Sequence, residues 1–269
     1  MDTTEKTNKK TALITGASGG IGLEFARLFA RDGYDLVLVA RSADKLERLK
    51  ADLEKRRALS VRVIPKDLAN PSAPEEIYAE LEREGVVVDA LVNNAGYALF
   101  GPFVENGEQD VLDMLQVNIV ALTHLTRLFL PGMVKRGQGR VLNVASTAAF
   151  VPGPLMAIYY ASKAYVLSFS EAIAEETRGT GVTVTTLCPG ATETGFVKRA
   201  AMEDSRLVSG RRLLDAGEVA RAGYKAMMQG RSLIIPGGLS HKIVPLFARL
   251  APRSLVTRIV RRSQERKEY

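Results

Sequence analysis

Tryptophan is absent from this chain of 269 residues, histidine occurs only at His124 and His241, and cysteine only at Cys188. A single thiol excludes an intramolecular disulfide, so stability must come from a buried core, which a chain of this length can build. Two histidines 117 positions apart, with no HExxH and no Cys/His cluster, give no metal site and exclude zinc hydrolysis and zinc-finger chemistry. No apolar run approaches the roughly 18 residues of a membrane span. The opening MDTTEKTNKK lacks an apolar stretch and does not read as a secretory signal. These absences leave a cytoplasmic enzyme or binding protein as the expectation.

Hydrophobic residues make up 46% and charged residues 25%, the balance of a soluble globular domain. The net charge is +7, but residues 240–269 hold eight Lys/Arg against two acids, which accounts for +6 of it. The basicity belongs to a C-terminal segment, and nucleic acid is not an expected partner of the body.

Short apolar runs alternate with longer amphipathic ones, the pattern of repeated strand–helix units. Strands are expected at 11–15, 35–40, 61–66, 88–93, 140–145, 182–188 and 233–236. Helices are expected at 20–31, after a Ser42 cap, and at 71–84, 108–136, 158–178 and 216–229. Strands joined by helices run parallel, and right-handed crossovers place helices on both faces. The fold class is therefore α/β, one doubly wound parallel sheet of about seven strands. It spans residues 11–238, with a lid near 191–210, a disordered N-terminal tail at 1–10, and a basic amphipathic tail at 239–269.

The first strand runs into Thr15-Gly16-Ala17-Ser18-Gly19-Gly20-Ile21-Gly22. Gly16 allows a sharp turn, Gly20 lets backbone approach a pyrophosphate, and Gly22 lets helix and sheet pack closely. Ser18 and Ile21 complete this candidate cradle. An anion there sits at a helix N-terminus, favoured by free N–H groups and the helix dipole. A strand before the glycines and a helix after them give the motif its meaning.

The spacing TGxxxGxG resembles that of the short-chain dehydrogenase/reductase family. Its other motifs follow in order. Asn93-Asn94-Ala95-Gly96 ends the fourth strand, Asn118 lies mid-helix, and Ser146 follows the fifth strand. Tyr159 and Lys163 form YxxxK thirteen positions after Ser146, and Pro189-Gly190 leads to Thr192 and Thr194. The resemblance covers residues of about 11 to 236. It implies a Rossmann-type fold and an NAD(P)-dependent oxidoreductase acting on an alcohol or carbonyl. It also implies that Lys163 binds the nicotinamide ribose and that Asn118 supports a water-linked proton path to it. Asp67 and Leu68 would contact adenine. Asn94, Ala95 and Gly96 would line the ribose and pyrophosphate channel, and Pro189, Gly190, Thr192 and Thr194 the carboxamide and phosphate side. Family members commonly form dimers or tetramers through the helices bearing Asn118 and Tyr159.

The chemistry also follows from the residues. Positions i and i+4 share a helix face, so Tyr159 and Lys163 project together. An ammonium about 4 Å from a phenol, at an effective dielectric near 20, favours phenolate by roughly 4 kcal/mol before desolvation opposes it. The expectation is a Tyr159 lowered towards neutral pH as general acid/base, with Ser146 on the substrate oxygen and a nicotinamide exchanging hydride. Tyr160 breaks the YxxxK register and reads as a packing or cleft-wall residue. After the second strand come Arg41 and Ser42 with no acid, which favours NADP(H), an arginine fork suiting a 2′-phosphate; NAD(H) stays open. Gly19 departs from the many NADP-preferring relatives that carry a basic residue there.

Loops 97–107, 147–158 and 191–210 offer Leu99, Phe100, Phe103, Phe150, Leu155, Met156, Phe196 and Met202, pointing to a lipophilic carbonyl or secondary alcohol. Lys198 and Arg199 suit either an anionic carrier or a solvated lid. The tail carries Ile243, Leu246, Phe247 and Leu250 at helical spacing, then Leu255, Val256, Ile259 and Val260. Docking within an oligomer is the first reading and an anionic membrane surface the second. Three functions stand: an NADP(H)-dependent carbonyl reductase or alcohol dehydrogenase, a 3-oxoacyl-carrier reductase, and a non-catalytic dinucleotide-binding sensor or scaffold acting through the basic tail.

Overall fold

Runs such as Asp35–Ala40 (DLVLVA) carry branched apolar side chains on both faces, so they become central strands only if helices cover both sides. The computed structural model describes residues 9–200, 202, 205, 208 and 213–265; the side chains of residues 198, 199, 239, 240 and 242 lie outside that description. The expectations for residues 1–8, for part of the lid, and for the side chains of Lys198 and Arg199 therefore fall outside it. In order come β1 (Thr11–Thr15), α1 (Gly20–Arg31), β2 (Asp35–Ala40), α2 (Ala43–Arg56), β3 (Val61–Pro65), α3 (Ala73–Arg83) and β4 (Val88–Asn93). Then follow α4 (Glu108–Leu115), a π-helical turn (Gln116–Ala121), α5 (Leu122–Arg136), β5 (Gly139–Val144), α6 (Ala157–Glu176) and β6 (Val182–Leu187). The chain continues with β7 (Thr192–Glu193), α7 (Gly195–Arg199), β8 (Leu214–Asp215), α8 (Ala216–Met228), β9 (Leu233–Ile234), α9 (Leu239–Leu250) and α10 (Arg253–Gln264).

The main sheet has seven strands in the order β3-β2-β1-β4-β5-β6-β9, and its neighbouring strands pair in parallel. The order reverses at β1: β2 and β3 lie on one side and β4 on the other, and a crevice opens beyond the carboxyl ends at that point. One face is buried under α1, α2 and α8 through Phe25, Phe29, Leu46 and Met227; the other under α3, the α4–α5 helix and α6 through Ile77, Met114, Leu125, Phe129 and Ile173. Phe29 meets Tyr34 and Tyr224 edge-on at 5.0 and 4.9 Å between ring centres, a geometry worth about 0.5–1.5 kcal/mol per pair beyond burial.

The structure departs from expectation in five places. Lys10 is not in a loose tail, because its carbonyl accepts the Asp35 N–H at 2.9 Å. Ser42 stands at the α2 N-cap, but its hydroxyl makes no cap bond to a described residue. The helix expected over 108–136 is continuous but holds the π turn. That helix is also long and apolar enough to cross a membrane, with a window mean hydropathy of 1.3. A search for unbroken apolar runs misses it because polar residues interrupt the sequence; in the fold it is a core helix on the sheet. Lastly, β7 and β8 pair in parallel as a small second ribbon beside the crevice.

The basic C-terminal segment forms α9 and α10, whose inner faces pack on the body of the same chain. Val256 is buried, Val260 joins the core cluster, and the Gln264 amide donates to the Tyr160 hydroxyl.

Candidate active site

A strand followed at once by a helix needs a reversal at its end. Gly16 supplies it with φ +66, a backbone region that side chains avoid. A Cβ on Gly22 would lie 2.3 Å from the Gly16 carbonyl oxygen and 2.5 Å from Asn94 Nδ2, so the first turn of α1 rests on that reversal. Gly22 stands behind the crevice rather than lining it. Among the described residues no side chain caps α1, and its first turn holds no acid. Its leading N–H groups are left for an anion in the crevice.

Thr15, to which the sequence reading gave no role, ties the two sides together. Its hydroxyl accepts the Asn94 and Ala95 N–H groups, both at 3.0 Å, and donates to the Val92 carbonyl at 3.3 Å. The Asn94 amide donates back to the carbonyls of Thr15 (2.9 Å) and Gly16 (3.3 Å). The ends of β1 and β4 thus form one rigid rim.

A cavity of about 510 Å³ runs along this rim. Gly16, Ser18, Gly20, Ile21, Asn94, Ala95 and Gly96 line its middle. Arg41, Ser42, Asp67 and Leu68 line one end; Ser146, Tyr159, Lys163, Pro189, Gly190, Thr192 and Thr194 line the other. Lys45 and Lys66 also line the cavity. The sequence reading missed them as site residues because one lies inside α2 and the other just past β3. Arg41 sits 3.7 Å from Asp67, and both side chains are about half exposed, so water weakens this pair and leaves the guanidinium available. A cationic end, a glycine cradle under an uncapped helix start, and a reactive end fit a phosphorylated dinucleotide.

At the reactive end α6 sets Tyr159 and Lys163 on one face, the ammonium 5.7 Å from the phenol ring centre. Lys163 Nζ donates to the Val144 carbonyl at 2.8 Å. Ser146 faces the phenol of Tyr159; its Oγ accepts the Ala148 N–H at 3.1 Å and donates to the Pro189 carbonyl at 3.3 Å. Burial holds Tyr159 well above the ordinary phenol range, and Ser146 offsets this only in part. The expected lowering by Lys163 is not present in this state. The ammonium lies against the ring, tied to backbone, and loss of water around the phenol dominates. Burial pushes Lys163 down to about 8 and the neighbouring Cys188 thiol up to about 12.

Asn118 lies on the π turn and is buried behind the cavity. Its Oδ1 accepts the Tyr97 N–H at 3.1 Å, while Nδ2 donates to the Tyr97 carbonyl (2.9 Å) and to Ser162 Oγ (3.1 Å). A Cβ on Gly96 would lie 3.1 Å from Asn118 Oδ1 and 3.5 Å from Lys163 Nζ. Asn118 and Lys163 therefore approach the same gap.

Of the eight apolar loop residues expected around substrate, Met156, Phe196 and Met202 line the cavity, with Tyr97, Ala148, Tyr160, Val197 and Val208 beside them. Leu99, Phe100, Phe103, Phe150 and Leu155 do not line it. Leu99 and Phe100 pack against the core, Phe150 packs against the Leu122–Val166 cluster, and Phe103 points to solvent at 56% exposure. Leu155 holds φ +67 and its carbonyl accepts the Gly101 N–H, so it shapes the loop instead. Hydrophobicity alone does not separate packing residues from lining ones. Tyr160, read as a packing or cleft-wall residue, is both: it lines the cavity and joins the core cluster.

The family profile described as short chain dehydrogenase matches residues 10–204. A very-long-chain 3-oxoacyl-CoA reductase of Pyrenophora tritici-repentis is 41% identical over 178 residues, covering 64% of this chain and 52% of the relative. The ketoacyl reductase HetN of a Nostoc species is 32% identical over 229 residues, covering 84% and 78%. The chain thus spans about half the length of the very-long-chain reductase. A short-chain dehydrogenase from Sphingobium yanoikuyae in complex with NADPH superposes with a TM-score of 0.81 at 31% identity, covering 97% of this chain and 99% of the other. Because the family profile runs through both the glycine turn and the Tyr159–Lys163 helix, the chain belongs to the short-chain dehydrogenase/reductase family.

Proposed function

We propose that the protein is an NADP(H)-dependent reductase of lipophilic ketones, alcohol oxidation being the reverse, and that a 3-oxoacyl chain on a thioester carrier is its substrate class. The observation that carries this reading is one cavity with Ser146, Tyr159 and Lys163 at one end and Arg41, Ser42, Lys45 and Lys66 at the other. The names of the reductase relatives and the apolar wall formed by Met156, Phe196 and Met202 support the acyl chain. A bound nicotinamide supplies the hydride chemistry. Tyr159, kept neutral by burial, donates its proton to the carbonyl oxygen, which is the task of an acid in the reductive direction. Ser146 orients that oxygen. Lys163 returns a proton to Tyr159 and draws on water held near Asn118. The exposed Leu112, Val120 and Tyr165, on the helices carrying Asn118 and Tyr159, form the face we assign to self-association.

The test is NADPH consumption with 3-oxoacyl thioesters of increasing chain length. Each buried methylene is worth about 0.8 kcal/mol, or roughly fourfold, so kcat/KM rises several-fold per added carbon until the pocket is filled. Equal rates on short polar ketones overturn the substrate class.

Replacing Arg41 with alanine removes a charge-assisted partner of the 2′-phosphate worth about 1.5–3 kcal/mol. KM for NADPH rises about 10- to 100-fold, while KM for NADH changes by less than about threefold. Steady-state kinetics with both cofactors read this difference, and a parallel loss for the two removes Arg41 from phosphate recognition.

A further inference from the structure

We propose that α9 and α10 form a docking surface for an anionic phospholipid bilayer. On α9, Ile243, Leu246, Phe247 and Leu250 fall within an arc of about 100° at 3.6 residues per turn. A helix packed on a protein body ordinarily turns such a stripe inward. Here it faces out: the four side chains are 46%, 57%, 39% and 74% exposed. The opposite side of α9 is the one that meets the body, where the His241 ring packs on Gly190 and Gly237. On α10, Val256, Val260 and Gln264 turn inward, leaving Leu255 and Ile259 exposed at 42% and 44%. Both helices of this consecutive pair therefore present apolar side chains outward.

Cations flank these side chains. Arg249, Arg253, Arg258, Arg261 and Arg262 are all exposed, and Glu265, the only acid between residues 239 and 265, already pairs with Arg261. Large apolar side chains beside long basic ones suit an interfacial helix: the apolar groups enter the acyl boundary while guanidinium groups stay at the phosphate level. The charge also selects the occupant. A second copy of this surface would set arginine against arginine, whereas an anionic leaflet, such as the one facing the cytoplasm, attracts each of them. The surface stands beside the reactive end of the cavity, since Gly190 and Tyr160 line the cavity and touch α9 and α10. A bilayer held there presents lipophilic substrate to the pocket; that use rests on the proposed activity, while the docking does not.

The experiment is co-flotation of the full chain with vesicles of phosphatidylcholine alone and of phosphatidylcholine with phosphatidylserine. Lipid-bound fraction is the readout, and no turnover is needed. The wild type partitions at least about tenfold more strongly onto the serine-lipid vesicles. Leu246→Glu with Leu250→Glu, and separately Arg258→Glu with Arg262→Glu, each lower that partition at least about tenfold. Their thermal transitions stay at the wild-type temperature because all four positions are exposed. The proposal is overturned by equal partition onto both vesicle types, by none onto either, or by a wild-type dimer that Leu250→Glu dissociates without any lipid binding.

Discussion

Replacing Tyr159 by phenylalanine lowers ketone turnover by about 10²- to 10⁴-fold, the span that a positioned acid supplies, while NADPH affinity stays near wild type. The substitution removes one oxygen and keeps the ring that packs against Phe196 at 5.3 Å between centres, so the wall of the pocket is retained. What disappears is the hydroxyl that faces Ser146. The pH profile of the wild type carries the same assignment. Burial keeps Tyr159 protonated well past neutrality, so reduction does not lose its acid there. The alkaline limb instead falls above about 8, where Lys163 gives up its charge and can no longer return a proton to the phenol. Loss of activity confined to KM in Tyr159→Phe, with kcat intact, removes the acid role.

The second large effect is expected at Gly22. A methyl group there meets the backbone oxygen of Gly16 at 2.3 Å, and backbone cannot rotate out of the way as a side chain can. Alanine normally favours a helix by about 1 kcal/mol over glycine, but overpacking of this kind costs about 1–3 kcal/mol or more. At the upper end of that range the net is a loss of about 2 kcal/mol, or roughly 4–8 °C in Tm for a chain of this size, with weakened dinucleotide binding because the turn moves. Gly19→Ala is the internal control: a Cβ at Gly19 has nothing within 4 Å and its φ is −179, so the cost stays under about 1 kcal/mol. Scanning calorimetry of both variants compares them, and equal shifts sink the close-approach account.

The strands and helices of the sheet were legible because their side-chain periods are local properties; the strand order, whose reversal at β1 opens the crevice, emerges only in the fold. Tyr159, Lys163 and Ser146 were legible as a set through their spacing. Thr15 was not, since a hydroxyl at a strand end has many ordinary uses and only the fold brings Asn94 and Ala95 to it. Lys66 was hidden for the same reason: it reaches Arg41 and Lys45, which follow β2 closely in sequence, only once β2 and β3 pair. The phenol's acidity was misjudged because charge can be counted along a sequence whereas burial cannot. The Gln264–Tyr160 contact joins residues 104 positions apart, and no local pattern announces it.

The π turn at Gln116–Ala121 puts one extra residue into a single turn of the helix. Asn118 sits in that widened turn, where its amide holds both the N–H and the carbonyl of Tyr97. The same rod buries Met114 ahead of the turn and Leu125 beyond it. One continuous helix thus serves the hydrophobic layer along its length and the crevice at its middle.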